Sequence, residues 1–590
     1  MAIGPGHAGA EVGAIHPGLA KSTTAARNAK GAEVYASLRE IWRTWDRADP
    51  TQVEEALRSM ADSPTATAPV KAYARLLTAY ARRRRGDLDG SVKTIESLGF
   101  IGRWMTLGPF DNENKSGFAR EFPPEAELLG PIELGRSYDG KERQVRWRTS
   151  PEVSAHGWFD FGELMRPREN VCAYATTFLR AKAGTKAPRK VSVWIGTSGA
   201  FRLYWNGETA LEDAGYRDLD ADRFATLVTL GPGTNRVTMK VCGNEESPKF
   251  ALRLGDEKGA PDLGVDVVAD PSASTTAEGD AGAKPAAKAK PAAKAVAVAA
   301  VAKKAAIEGP MQELERRTSD PRATAAEIEA FARYLSTTGG DSKPEHKARD
   351  LARRAAELEP TVRRLILAGQ LAEDRNQQRV WVEKAAALAG PGHRNLDVLL
   401  AEAQLAREGT NWRDAVPIFE KMRAIDPDDV SATLGLVELY IEAGLKRTAL
   451  TTLERAVARE PNSVALLRVY AAQLRALGRD TEASEVEGRY ASLRFDDSAF
   501  LSQQVELAIA RRDTAGAERW LARFLRSEPD SSWSRSLAAR TYRSLGQGDR
   551  ALAAYQRALS LAPEDVGTLR ALSDLYGAQD KREDQLKLLR

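Results

Sequence analysis

The stretch GDRALAAYQRALSLAPEDVGTLRALSDLYGAQD, residues 548–580, decides the fold of the C-terminal half. Ala551, Tyr555 and Ala558 fall at helical spacing, and Pro563 follows them. The same marks recur upstream in one register. Ala415, Ala449, Ala483 and Ala517 precede Ala551 at a constant step of 34, and Pro427, Pro461, Phe495 and Pro529 precede Pro563 at the same step. The pattern predicts pairs of antiparallel helices. A small residue in the second helix lets the first come close. The proline ends that helix, because the residue before a proline disfavours the α region. One pair cannot bury its apolar face alone, so successive pairs stack into a solenoid.

A period of 34 with these markers resembles the tetratricopeptide repeat. Ala551, Tyr555, Ala558 and Pro563 match the A-x3-F…P half of that motif. Leu436 and Tyr440 match its L-G-x2-Y half, with Val437 in the glycine slot. The resemblance covers 396–565 as five repeats, with two worn repeats before them ending near Pro360 and Pro391. Repeat 464–497 departs from the motif at Glu487 and Phe495. An incomplete repeat spans 566–590 and ends on the apolar, uncapped DQLKLLR. Either the array docks there or the natural protein continues. The whole of 310–590 is expected to be a helical array.

At residue 100 the period changes from helical to two. Val191, Val193 and Ile195 alternate with Ser192, Trp194 and Gly196; Val237, Met239 and Val241 alternate with Thr238 and Lys240. Alternation of this kind predicts antiparallel strands with one dry and one wet face. Asn206-Gly207 suits a tight hairpin turn. RWMTLGPFDNENKSGF (103–118), NVCAYATTFLRA (170–181), SGAFRLYWNGE (198–208) and LGPGTNRVTMKV (230–241) together resemble the galactose-binding-like jelly roll. The fold class expected is therefore multidomain: an antiparallel β-sandwich of the jelly-roll type over 101–266, then a C-terminal α-solenoid.

The remaining segments read as follows. Residues 1–30 are Gly/Ala-rich and aperiodic, hence disordered. Residues 31–98 form a helical hairpin region, and the Arg82–Arg85 run reads as a solvated helix end rather than a phosphate contact. Residues 268–309 are a spacer: Ala281–Ala306 holds 14 Ala, 6 Lys and 2 Pro. The segment 1–21 lacks a basic portion followed by an apolar run, and no stretch is long enough to span a membrane. That reads as cytoplasmic by default, with the cell envelope as the alternative if the start is misassigned. The order of segments resembles the N-terminal part of bacterial transglutaminase-like proteins, which implies a catalytic domain beyond residue 590.

Composition excludes several classes. The 590 residues carry 86 Lys plus Arg against 82 Asp plus Glu, a net charge of only +4, which argues against a nucleic-acid binder. Of those 86 cations 61 are Arg, which with heavy Ala usage looks like a GC-rich bacterial gene. Two cysteines and five scattered histidines give no metal cage, and no phosphate loop or zinc-protease motif occurs. No catalytic residue, metal or cofactor is expected. Cys172 falls in phase with Tyr174 and Phe178, facing the core, whereas Cys242 opposes Val241, so no disulfide is expected between them. Asp218, Asp220 and Asp222 imitate a calcium loop, but Arg223 and Thr229 occupy its required Gly and Glu positions, which predicts a solvated loop, with a looser calcium site in a sandwich loop as the alternative. Trp205 alternates into the core. Tyr204, on the wet face, is the candidate glycan contact.

The leading function is a non-catalytic scaffold whose repeat groove binds protein. The alternatives are a carbohydrate-binding module and the regulatory part of a transglutaminase-like enzyme. First-helix faces line the groove. They place Trp533, Arg540 and Arg543 in one repeat, Arg468 and Arg475 in the same slots two repeats earlier, and Arg570 one repeat later. Arginines there pair with carboxylates and Trp533 anchors an apolar side chain, which predicts an acidic peptide or acidic partner surface. Glu438 and Glu506 on the same face argue instead for a mixed-charge groove.

Overall fold

The structure, a computed structural model, describes residues 15–150, 156–270, 307–339, 347–409, 412–528 and 530–589. The N-terminal tail before 15 and most of the expected spacer (271–306) lie outside the described residues.

Five helices open the chain: α1 (Pro17–Asn28), α2 (Glu33–Arg43), α3 (Pro50–Ala61), α4 (Ala68–Arg84) and α5 (Leu88–Glu96). The helical region thus begins earlier than the sequence suggests. Residues 17–28 form α1, its first turn set by Pro17 and by the His16 imidazole accepting from Gly18 N. The strands of the sandwich region are β1 (Met105–Asp111), β2 (Tyr138–Asp139), β3 (Gln144–Val145), β4 (Arg148–Thr149), β5 (Phe159–Asp160), β6 (Val171–Ala181) and β7 (Arg189–Ser198). They continue as β8 (Ala200–Trp205), β9 (Glu208–Asp213), β10 (Phe224–Leu230), β11 (Asn235–Cys242), β12 (Lys249–Gly255) and β13 (Val265–Val268). The large sheet runs β4-β1-β6-β11-β8-β9, with β13 also on β6, and the small sheet runs β10-β7-β12-β5. The strand pairs are antiparallel. Asn206 and Gly207 take φ of 50° and 84°, the positive values that their hairpin between β8 and β9 demands.

Val193, Ile195, Leu203, Val237, Met239 and Val241 fill the space between the sheets, as the alternation predicts. The expected wet faces, however, are dry. On the large sheet Tyr174, Phe178 and both cysteines share a buried cluster with Phe110, Phe122, Ile132 and Trp147, residues of or beyond β1 that fold back over the sheet. On the small sheet Ala251 packs with Ala72, Leu76 and Ala79 of α4 and Ile95 of α5. Each sheet is covered twice, once by its partner and once by sequence-distant chain.

That second cover overturns the cysteine reading. Cys172 and Cys242 stand directly opposite each other on β6 and β11 and form a disulfide. Both point to the outer face, because antiparallel partners in register share a side. The chain should therefore yield no alkylatable thiol under denaturing conditions until it is reduced. Reduction should lower the stability of the sandwich by about 2–4 kcal/mol, read as a shift of the urea midpoint. Two alkylated cysteines without reductant would show the pair to be open.

In the Asp218–Asp222 loop Asp218 is exposed, but Asp220 and Asp222 are buried rather than solvated. Asp222 receives Arg253 through Nε at 2.8 Å and Nη2 at 2.6 Å. Asp220 accepts from Tyr73 Oη at 2.7 Å and pairs with Arg39. These carboxylates knit α2, α4 and the sandwich together, and no cluster of three metal-ligating side chains occurs among the described residues.

After the sandwich come α6 (Pro310–Thr318), α7 (Ala325–Thr338), α8 (Ala348–Leu358), α9 (Val362–Gln370) and α10 (Arg375–Ala389). Helices α6 and α7 pack on α2, where Arg317 reaches Glu33 at 3.1 Å and Arg333 pairs with Glu40. Six helix pairs follow. Their first helices are α11 (Leu396–Arg407), α13 (Val430–Glu442), α15 (Val464–Ala476), α17 (Ser498–Ala510), α19 (Ser532–Ser544) and α21 (Val566–Ala578), each beginning one repeat period after the last. Their second helices are α12 (Ala415–Ile425), α14 (Lys446–Arg459), α16 (Asp480–Leu493), α18 (Thr514–Ser527), α20 (Gly548–Leu561) and α22 (Arg582–Leu589). Side chains of Asn395, Asp429, Asp497 and Ser531 cap the first helices, which fixes where they start. Ala415, Ala449, Ala483, Ala517 and Ala551 are all 0% exposed, as close helix approach requires.

Candidate functional site on the repeat array

Tyr204 is not a surface residue. It is 5% exposed, and its hydroxyl donates to Glu125. Lys240 Nζ and Tyr174 Oη donate to the same carboxylate at 2.7 and 2.6 Å. Burial alone would raise the Glu125 pKa, but these three donors outweigh it and hold the group below the usual carboxylate range. The cluster clamps the 112–147 excursion onto the sheet, and it leaves Tyr204 no face for a sugar. Trp205 is core as expected, with Nε1 donating to Thr229 O at 2.9 Å.

The arginines of the first-helix face divide into two groups. Arg475 is turned into its own repeat, where it meets Glu487 at 2.6 Å and Asp480 at 2.7 Å. Glu487, 6% exposed, occupies the slot that Tyr555 holds two repeats later. The departure at Glu487 is thus matched by Arg475, and an ion pair replaces an aromatic ring. Glu438 is also engaged, since Arg407 bridges it and Glu442.

Arg468, Arg540, Arg543 and Arg570 are exposed, and none meets a carboxylate within ion-pairing distance among the described residues. Arg543 and Arg540 lie beside the Tyr555 hydroxyl, whose pKa burial raises and these two cations lower. Trp533 is 42% exposed, with its ring edge-on to Phe524 at 5.1 Å. The half-exposed indole thus shares its helix face with Arg540 and Arg543, next to the helix that carries Arg570.

The turn between one pair and the next faces the other way, toward the N-terminal half. Lys21 reaches Asp397 at 2.6 Å, Asn462 reaches Asp49 at 2.8 Å, and Arg143 reaches Glu564 at 2.7 Å. Within the Arg82–Arg85 run, Arg83 and Arg84 are part of this interface and not a solvated end: Arg83 is 3% exposed and donates to Ser527 O, and Arg84 approaches Asp496, whereas Arg82 and Arg85 pair with Glu54 in α3. Sequence reasoning missed this edge, although Phe495 in a proline slot was its signal.

Residues 406–474 match the family model described as tetratricopeptide repeat. The matched stretch lies within the C-terminal array, from the end of α11 into α15. No curated protein matches the sequence. Among solved structures, one described as a functional characterization of Pseudomonas aeruginosa pilF shares 16% identity, covering 39% of this chain and 100% of its own, with a TM-score of 0.27. YrrB, described as a tetratricopeptide-repeat protein with an unusual peptide-binding site, shares 17% identity over 30% of this chain and 92% of its own, with a TM-score of 0.24. Yeast Tom70 shares 17% identity over 46% of this chain and 57% of its own, with a TM-score of 0.33. At these values the choice of binding surface rests on the chain's own residues. Among those described, no helix is long and apolar enough to cross a membrane.

Proposed function

We propose that this protein is a non-catalytic interaction scaffold whose repeat array holds an acidic peptide or acidic partner surface on its first-helix face. The observation that supports the reading is the exposed set Arg540, Arg543 and Arg570 beside Trp533. Other arginines of the same face, Arg407 and Arg475, are engaged by internal carboxylates. An exposed guanidinium without a carboxylate partner offers a planar fork to one, and a half-exposed indole offers an apolar anchor next to it. For a partner recovered by pull-down, Arg540→Ala/Arg543→Ala should weaken binding at least about tenfold, since charge-assisted hydrogen bonds are lost. Wild-type affinity should fall as salt is raised. Unchanged affinity in the double variant, or binding indifferent to salt, would place the site elsewhere.

The carbohydrate-module reading loses its candidate residue with the burial of Tyr204. The pairing of Cys172 with Cys242 supports the cell envelope over the cytoplasm, because structural disulfides persist in oxidising compartments.

A further inference from the structure

The proline series contains one substitution, and the fold gives it a use. The residues before Pro427, Pro461 and Pro563 have φ, ψ of −134°, 99° (Asp426), −117°, 71° (Glu460) and −132°, 81° (Ala562). Arg494, before Phe495, has −129°, 62°. The backbone entering position 495 is therefore the one that admits proline elsewhere in the array. What proline lacks is an N–H, and here that N–H is employed: Phe495 N donates to Arg84 O at 2.7 Å. Arg84 is the last residue of α4, whose final carbonyls have no partner within the helix.

The side chain adds a second reason. The Phe495 ring lies against Gly86, where a Cβ would come within 3.1 Å of it, and Gly86 has a φ of +86°. Arg523 and Arg526 cover the ring at 4.6 and 5.6 Å. On the α4 side, Arg84 stacks over Trp42 at 3.9 Å and approaches Asp496 at 3.6 Å, and Arg83 donates to Ser527 O.

We infer that Phe495 and the C-terminal end of α4 form a clasp that locks the repeat array to the N-terminal half, with Phe495 standing in for the repeat's proline in order to make it. The two halves then behave as one body, not as modules tethered by an Ala/Lys/Pro spacer. The turns between repeats are covered from within, whereas the first-helix face that carries Arg540 and Arg543 stays open to a partner. The inference does not depend on what that face binds.

The test reads each side of the clasp from the other in the full chain, by amide hydrogen exchange. Phe495→Pro restores the residue that the array uses elsewhere while removing the donor. It should speed exchange of residues 82–87 by about tenfold and leave the remote helix 548–561 unchanged. Arg83→Ala changes nothing inside the array, yet it should speed exchange of residues 494–497 and 523–528. Unchanged exchange at 82–87 in Phe495→Pro overturns the clasp. If Phe495→Pro loosens the whole array, Arg83→Ala decides: faster exchange at 494–497 and 523–528 supports the clasp, and wild-type exchange there overturns it.

Discussion

Asp222→Ala is expected to destabilise the protein by about 3–5 kcal/mol, because it leaves the Arg253 guanidinium buried without its counter-charge. Asp222 and Arg253 side chains are 2% and 1% exposed, and two nitrogens of the guanidinium bond the carboxylate. Arg253 also stacks over Trp194 at 4.9 Å, so it has no path to solvent without opening the seam between the small sheet and α4. Asp222 sits at a φ of 60°, which asparagine tolerates better than alanine. Asp222→Asn should therefore cost less. The double variant Asp222→Ala/Arg253→Met should recover part of the loss, since replacing both charges removes the desolvation cost that breaking one of them exposes. Urea unfolding of the full chain measures all three. A single-variant loss below about 1 kcal/mol would mean that the pair is solvated.

Tyr555→Ala should cost about 3–5 kcal/mol, the range for removing a buried aromatic ring from a packed core. The ring is 2% exposed and shares a cluster with Leu521, Phe524, Leu537, Ala538, Leu572 and Leu575, residues from the preceding pair, its own pair and the next first helix. One side chain thus couples three successive repeats. Because an array gains its stability from such nearest-neighbour interfaces, the loss should spread to the melting of residues 498–578. Tyr555→Phe should be nearly neutral for stability, since the ring is retained. If Tyr555→Ala leaves the urea midpoint unmoved, the ring is not in that core.

Much of the fold was legible because it is written in local periodicity. First helices starting at 396, 430, 464, 498, 532 and 566 reproduce the step of 34 carried by the alanines and prolines. The hairpin at Asn206-Gly207 and the inward set Val237, Met239 and Val241 also follow from neighbours in sequence. The candidate site was legible in part. The period places Arg540, Arg543, Arg570 and Trp533 on first-helix faces, but it treats Arg475 as their equivalent. The Glu487 and Asp480 carboxylates of the second helix, across the pair, take Arg475 out of the set.

What the sequence determined by itself was which residues are helical, which are extended and which share a face, since these depend on regular spacings along the chain. What only the tertiary structure decided was which faces meet water. Alternation in β6 and β11 shows that Cys172 and Cys242 each lie on one side of a strand, but not that the strands pair in register, nor that residues 112–147 cover that side. Asp220 and Asp222 look solvated until Arg39, Tyr73 and Arg253 arrive from elements far away in sequence. Phe495 looks like a worn repeat position until its N–H is found on Arg84, in the helical region that precedes the sandwich. In each case the deciding partner is remote along the chain, and burial of a polar group is set by that partner, because a charge or an N–H leaves water only where another group replaces it.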